Sequence, residues 1–350
     1  MSDPISSTLG DVTSAVESIS GTATQDLGQT EGLIERLTSF RTAPPLEQVS
    51  TDLGPLALLG GRWRGKGFNL IARPDFQGSN PLFLELNLTE EELDFSPIGS
   101  PVPNRGFGQN DINLFGLTYL QQISDATDEG ALHIEPGIWI NIPATTDPPE
   151  SASVTRLATI PHGNAVCIEG TGFPVAGPPK FRHANTVPFK VGDPDPAPGA
   201  HNGFPEYDLS KPTPFRRLPP GVTQAMVDDP NVVLENIAAK QTIINTVVLN
   251  IGTVNSFTVA GTPPEAVTIT NGGGGSENIP FVQKNADIPR VTATFWIETV
   301  QRPGGGSFLQ LQYTQTVLLN FPVQVTGKPQ GPNLSWPHVT VATLVKRFGS

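Results

Sequence analysis

Apolar and polar residues alternate clearly along most of residues 308–320, FLQLQYTQTVLLN. One face of an extended chain would carry the apolar side chains Leu309, Leu311, Tyr313, Val317 and Leu319. The opposite face would carry the polar side chains Gln310, Gln312, Thr314 and Thr316. A period of two is typical of a β-strand, in which successive side chains point to opposite faces of the sheet. We therefore predict a strand here.

Short β-prone runs recur from residue 56 onward, separated by Pro, Gly, Asn and Asp. The other runs are LALLGGRWRGKGFNLIA, PLFLELNLTEEELDF, NLFGLTYLQQIS, ALHIEPGIWINI, SVTRLATI, NAVCIEGTGF, TIINTVVLNIGTV, VTATFWIETV and HVTVATLVKRF. Together they give about ten strands, enough to close an antiparallel barrel and remove exposed edges. The predicted fold class is all-β, with a single antiparallel barrel.

Three segments interrupt or precede this pattern. Residues 172–240 are dense in Pro and Gly and carry one predicted helix at DPNVVLENIAAK, where Asp229 could cap the first turn. Residues 261–280 contain a run of four glycines. Residues 1–53 form an acidic arm with one helix-like patch at 32–40, and we predict it to be mostly irregular. The barrel is therefore assigned to residues 54–348, with an insertion at 172–240 and a glycine-rich loop at 261–280.

Composition excludes several classes of function. The chain has 36 glycines, 36 prolines and 15% charged residues, a balance that favours turns over helices. A net charge of -12 without a basic stripe argues against nucleic acid as a partner. The single Cys167 cannot form an internal disulfide, and its position within a strand predicts a buried, inert thiol. No secretory signal and no apolar run of the ~20 residues that span a bilayer is present, so we expect a cytoplasmic protein without a transmembrane segment.

Four short motifs occur in order along the chain: GRWRGKG at 61, LTYLQQ at 117, LHIEPG at 132 and PHVTVATLVKR at 337. Together they resemble nitrobindin, a small calycin-type β-barrel family that holds a b-type haem through one histidine. The resemblance covers residues 54–171 and 241–348. It implies a calycin-like barrel, about half the length of this chain, to which the insertion and the N-terminal arm are added.

The first motif is expected to shape the closed end of the barrel. Gly61, Gly65 and Gly67 would let the first strand bend sharply. In barrels of this family, the tryptophan fills the closed end and stacks against a basic residue of the final strand. The resemblance therefore implies that Trp63 packs against Arg347 or its neighbour Lys346, which is a structural role.

His338 is the candidate haem ligand. On its own, this histidine would more simply be a residue at the start of a strand. The resemblance implies instead that it is the proximal ligand of haem b, with Trp336 and Val339 contributing to an apolar setting that the porphyrin needs. A haem protein of this family would bind NO or isomerise peroxynitrite to nitrate, so a haem-dependent enzyme activity is left open.

Two other classes of function remain. The barrel could be a haem-free carrier of a fatty acid or another apolar metabolite, or an enzyme acting on an organic substrate, for which no acid, base or nucleophile stands out. Either way, the expected partner is a small molecule in the barrel, and a homodimer is compatible with the sequence.

The remaining aromatic and histidine residues have less specific expectations. The aromatic residues of the insertion would either cover the barrel as a lid or pin the insertion to its outside: Phe181, Phe189, Phe204, Tyr207 and Phe215. His133 and Glu135 would face the same side of a strand, with His133 as a hydrogen-bonding residue. His162, His183 and His201 are expected to face solvent.

Overall fold

The computed structural model describes residues 46–347 except 76–79, 81, 109, 198–199, 202, 214–215, 254–256, 261–265, 270–272 and 326–327. The predicted helical patch at 32–40 and Phe215 lie outside the described residues. So do most of the N-terminal arm and part of the glycine-rich loop.

The strands, numbered in chain order, are β1 (Gly61–Arg73), β2 (Phe83–Pro97), β3 (Val102–Asn104), β4 (Ile112–Asp125), β5 (Ala131–Ile142), β6 (Thr145–Thr146), β7 (Pro149–Glu150), β8 (Ser153–Ile160), β9 (Asn164–Ala176), β10 (Phe189–Lys190), β11 (Ile243–Gly252), β12 (Phe257–Ala260), β13 (Ala266–Ile269), β14 (Gly273–Asn278), β15 (Asp287–Gln301), β16 (Ser307–Val325) and β17 (Lys328–Arg347). The helices are α1 (Leu46–Asp52), α2 (Gln224–Asp228), α3 (Val232–Ala238) and α4 (Pro280–Asn285), with 3-10 turns at Gly54–Leu56 and Pro205–Tyr207. Within the described ranges, no helix has the length and apolar character needed to cross a membrane.

Ten of these strands form a closed antiparallel barrel. Their order is β1, β2, β4, β5, β8, β9, β11, β15, β16 and β17, and the last strand pairs with the first. The closing pair runs from Arg62 opposite Arg347 to Leu70 opposite Val339. Strands β3, β10 and β14 extend the sheet beside β4, β17 and β9. The predicted all-β barrel of about ten antiparallel strands is confirmed.

Large side chains fill one half of the barrel interior. Alternation along β16 places Leu309, Leu311 and Tyr313 in the interior cluster, as the sequence pattern predicted. The largest fully buried interior side chains are Trp63, Phe95, Trp139 and Tyr313. Helix α1 and the following 3-10 turn close this end, where Leu56 and Leu59 are fully buried against the same cluster. This half therefore forms the hydrophobic core.

The insertion covers the outer face of the barrel wall near β1, β2 and β17. A second apolar cluster joins Phe68 and Trp296 of the wall to Tyr207 and Leu234 of the insertion. The Phe181 ring meets the Trp296 ring edge-on, with centroids 4.8 Å apart. These aromatic residues thus pin the insertion to the outside of the barrel, which is one of the two expected arrangements.

Polar residues of the insertion differ in part from expectation. The predicted helix is present as α3, but Asp229 does not cap it: Asn231 occupies the N-cap position, and the Asp229 carboxylate accepts hydrogen bonds from the backbone N–H groups of Ala184 and Asn231. His183 and His201 were expected to face solvent. They are half-buried, because each pairs with an acidic side chain: His183 with Asp229 at 3.4 Å, and His201 with Asp228 at 3.0 Å.

The prediction of a buried thiol at Cys167 is wrong. The side chain is exposed. Its neighbours Val166 and Ile168 belong to the interior cluster, so the alternation of β9 turns Cys167 to the outer surface. A cysteine in the middle of a strand is buried only where the face to which its own side chain points is covered.

Candidate functional site

Trp63 occupies the closed end of the barrel. Its indole Nε1 donates to the Leu59 carbonyl at 2.6 Å, which ties β1 to the turn that plugs the barrel. The Lys346 ammonium nitrogen lies 5.6 Å from the centre of the Trp63 rings. Of the two basic residues considered, Lys346 thus makes this contact, whereas Arg347 is exposed and lies opposite Arg62.

The glycines of the same motif let β17 approach β1 closely. A Cβ atom at Gly65 would come closer than 3.0 Å to the backbone of Thr343, and one at Gly67 closer than 3.0 Å to the Val341 carbonyl. Gly61 has a φ of +111°, a value that side chains with a Cβ rarely adopt. These positions are therefore structural.

A buried ion pair crosses the middle of the barrel. Arg156 donates from Nε and Nη2 to the Glu135 carboxylate, and both residues are almost fully buried. Arg156 also donates to the Tyr119 hydroxyl at 2.9 Å and to the Gln315 side chain at 2.6 Å, and Tyr119 donates to Glu135. Burial alone would raise the pKa of Glu135, but the charge of Arg156 and the hydrogen bonds lower it to about 2.

A second carboxyl group, that of Glu91, lies near this pair, and the side chains that hydrogen bond to it are uncharged. The Tyr313 hydroxyl donates to Glu91 at 2.6 Å, while Gln121 donates to Tyr313 at 2.9 Å and the Thr89 hydroxyl to Glu91 at 3.3 Å. Burial raises the pKa of Glu91 to about 7 against the opposing effect of these hydrogen bonds. We call these residues the polar floor: Glu91, Tyr119, Gln121, Glu135, Arg156, Tyr313 and Gln315.

Above the polar floor, inward-facing side chains remain partly exposed. In register, Thr340 lies opposite Gln315 and His338 opposite Val317, on the same face as the interior residue Ala342. The half-buried side chains of this region define what we call the open chamber: Ile71, Gln315, Val317, His338 and Thr340. In a closed barrel, an inward-facing side chain that keeps some exposed surface lines space that the core does not fill. The barrel is thus tightly packed in one half and incompletely filled in the other.

His338 lines this incompletely filled half. Its Nε2 is 2.5 Å from the Ala72 carbonyl oxygen, and because a carbonyl only accepts, Nε2 carries the proton. Burial lowers the pKa of His338 to about 4, so the imidazole is neutral at pH 7. Val339 points to the outer face and packs with the insertion. Trp336 has the same alternation as His338, and it belongs to the same apolar cluster as Val339, where its ring stacks on Phe321 with the centroids 4.7 Å apart. Of the three predicted haem-binding residues, Val339 therefore faces away from His338.

His133 and Glu135 face the same side, as expected, with His133 Nε2 3.2 Å from a Glu135 carboxylate oxygen. The His133 ring stacks on the exposed His162 at 6.4 Å. A cavity of about 500 Å³ is lined by His133, His162, Glu91 and neighbouring residues. In the part of the chain that the structure covers, no group of three or more His, Cys, Asp or Glu side chains is arranged to hold a metal ion.

Four interior polar residues escaped the sequence analysis. Arg156 occupies an inward position between Val154 and Ala158. A charged residue on the apolar face of SVTRLATI could therefore have predicted a buried charge in the barrel. Glu91 was hidden in the acidic run of β2. Asn69 and Asn87, paired in register on β1 and β2, fall on the interior face with Trp63 and Leu93. Their significance becomes visible only when the barrel is closed.

Comparison with known proteins gives limited similarity. No family model matches the sequence, and no curated protein is similar to it. Nine chains of solved structures match. One of them is the crystal structure of Rv2717c from M. tuberculosis, which is 14% identical, covers 85% of this chain and 98% of that chain, and has a TM-score of 0.37. The fold assignment therefore rests on the strand pairing of this chain itself.

Proposed function

We propose that this protein binds a small organic molecule in the open chamber of its barrel. The observation that carries the proposal is the residual exposure of inward-facing Val317, His338 and Thr340 in a barrel whose other half is packed. Barrels of about eight strands already hold one small ligand, and a ring of ten strands is wider.

The polar floor supports this proposal because it is fixed before any ligand arrives. Arg156 is held by Glu135, Tyr119 and Gln315, so its position does not depend on a ligand. Of the chamber residues, Ile71 and Val317 are apolar, whereas Gln315, His338 and Thr340 carry hydrogen-bonding groups that could orient a small molecule. Binding in a preorganised cavity loses less conformational entropy than binding to a mobile surface.

Binding of a neutral apolar fluorescent probe tests the proposal. We expect N-phenyl-1-naphthylamine to saturate at one probe per chain. Val317→Trp fills the chamber with a larger side chain and is expected to abolish this saturable binding. Leu120→Trp, at an exposed position on β4, is the matched control and should bind like the wild type. Equal probe affinity in Val317→Trp and the wild type would overturn the proposal.

Haem b is the second candidate ligand. It is favoured by the neutral imidazole of His338 in the incompletely filled half of the barrel, since the neutral form is the one that binds iron. In the arrangement described, however, the residues do not fit ligation through Nε2, because this nitrogen donates to Ala72. Haem binding, and the NO binding or peroxynitrite isomerisation that the resemblance to nitrobindin implies, stay predictions.

Titration with hemin separates the two candidates. Haem ligation by His338 predicts a Soret band that saturates at one haem per chain and disappears in His338→Ala with an unchanged far-UV spectrum. His201→Ala, in the insertion, should keep the band. A Soret band that persists in His338→Ala would exclude His338 as the iron ligand. A wild-type protein without a Soret band would exclude haem binding and favour a haem-free carrier.

A further inference from the structure

Two buried asparagines on the inner face of the barrel have unpaired polar atoms. Asn69 on β1 lies opposite Asn87 on β2, and their exposed fractions are 7% and 1%. No described residue hydrogen bonds to Asn69 Oδ1, Asn87 Oδ1 or Asn87 Nδ2. Leaving such atoms without a partner destabilises the fold, because each has lost its hydrogen bonds to water. The two asparagines therefore destabilise the fold unless another molecule hydrogen bonds to these atoms.

The register places this pair at the open chamber. Asn69 lies opposite Thr340, and two residues further along the same strands Ile71 is in line with His338. On β2, Thr89 follows Asn87 on the same face and contacts Glu91 of the polar floor. Both amides therefore lie on the inner wall between the polar floor and the open chamber, where they are closed off from solvent.

The unpaired atoms specify a chemical complement. Together they present two acceptors and one donor. A carboxylate offers acceptors alone, so it could pair with Asn87 Nδ2 and would leave both Oδ1 atoms unpaired. An amide or lactam offers an N–H donor and a carbonyl acceptor in one plane, which matches the two side-chain amides.

The charges of the interior also favour a neutral ligand. Among the described residues of the barrel strands, three basic side chains lie at inward-facing positions, and each has a partner. Lys346 lies over Trp63, Arg156 binds Glu135, and Arg73 at the rim pairs with Glu85 at 3.0 Å. An anionic ligand would have to displace one of these contacts or remain uncompensated in a poorly solvated space.

We propose that Asn69 and Asn87 form a recognition site for the amide or lactam group of a neutral ligand bound in the open chamber. The inference rests on the proposed function, and it names the chemical class that the chamber selects. It favours a neutral amide over a fatty acid as cargo.

Octanamide and octanoate make a matched pair of probes, because they share an alkyl chain and differ in the head group. Each is titrated against the wild type preloaded with N-phenyl-1-naphthylamine. We expect octanamide to displace the probe at a concentration about tenfold lower than octanoate. In Asn87→Leu and Asn69→Leu, the probe should still bind, and the ratio of the two displacement concentrations should fall toward one. Asn250→Leu changes a buried asparagine that bonds to Thr294 on the outer face of β11, and it should keep the wild-type ratio.

The outcomes separate the two proposals. Failure of the probe to bind the wild type contradicts the proposed function itself. Normal probe binding with equal displacement by octanamide and octanoate overturns the amide site alone, and so does an unchanged ratio in both Asn→Leu variants. If one Asn→Leu variant does not fold, as judged by its far-UV spectrum, the displacement ratio of the other variant is compared with that of the wild type. If neither variant folds, the displacement ratio of the wild type alone tests the amide site.

Discussion

The ammonium group of Lys346 lies 5.6 Å from the ring centre of Trp63 and also donates to the Leu58 carbonyl at 3.2 Å. The last strand is thereby joined both to the first strand and to the turn that plugs the barrel. Because Trp63 is 1% exposed and its indole binds Leu59, this contact lies at the centre of the closed end.

Replacing the tryptophan should therefore destabilise the whole barrel. We expect Trp63→Ala to lower the free energy of unfolding by about 3–5 kcal/mol, since a large buried ring is lost. Lys346→Met keeps most of the side-chain packing and should cost about 1 kcal/mol through the lost cation–π contact. Urea unfolding followed by far-UV circular dichroism measures both. A loss below about 1 kcal/mol in Trp63→Ala would show that the closed end does not depend on this ring.

The glycines of the first strand should resist even the smallest substitution. Gly65→Ala places a Cβ against the backbone of Thr343, which cannot move without breaking the pairing of β1 with β17. We expect a loss of several kcal/mol or an insoluble product, whereas Gly275→Ala on β14, where no atom lies within 4 Å of the added Cβ, should be nearly neutral. Thermal unfolding of the two variants side by side gives the answer. Similar melting temperatures would mean that the two strands separate easily.

Breaking the buried ion pair should cost more than removing it. Glu135→Gln leaves Arg156 charged and without its counter-ion, and we expect a loss of about 3–5 kcal/mol. The double variant Glu135→Gln with Arg156→Met removes both charges and should recover part of that loss. Denaturant unfolding of the two single variants and the double variant forms a thermodynamic cycle. Strictly additive losses would argue against direct coupling between the two residues.

Glu91 should make stability fall as pH rises. Its pKa in the folded protein is about 7 against an ordinary 4.5, so the folded state binds a proton more tightly than the unfolded state. The stability from this group is present below pH 4.5 and is lost as pH rises through 7. His338, with a pKa lowered from 6.5 to about 4, acts in the opposite sense, because stability is lost as pH falls through this range.

The test for Glu91 therefore compares variant and wild type at each pH. In Glu91→Gln, unfolding free energies measured from pH 5 to 8 should decline less with pH than in the wild type. Glu298 on the outer face, whose pKa burial raises to about 8, remains in both proteins and cancels in the difference. Identical pH profiles for the two proteins would mean that Glu91 is not protonated in the fold.

The barrel could be predicted from the sequence because its signals are local. Period-two alternation in β16 and the Gly and Pro residues between strands depend on neighbouring residues alone. The helix α3 was found for the same reason, but its cap was not, because Asp229 is drawn to the backbone of Ala184, 45 residues away. The burial of His183 and the exposure of Cys167 likewise depend on which surface packs against them.

The interior site was mostly out of reach for sequence reasoning. Glu91 and Tyr313 are 222 residues apart and meet only when strands from opposite ends of the chain share one interior. His338 was found through resemblance to a family, and its hydrogen bond to Ala72 spans 266 residues. A motif names a residue, but it does not say which of its two ring nitrogens already has a partner.

The pairing of β1 with β17 also determines when the barrel can close during folding. Arg62 and Arg347 are neighbours in the closing seam, yet nearly the whole described chain lies between them. During synthesis, β1 leaves the ribosome long before β17 has been made. Until then, the backbone N–H and C=O groups along one edge of β1 have no strand to pair with. Contacts of such long sequence separation form slowly. We expect the emerging chain to depend on chaperones until β17 arrives, and to be prone to aggregation whenever translation stops short of it.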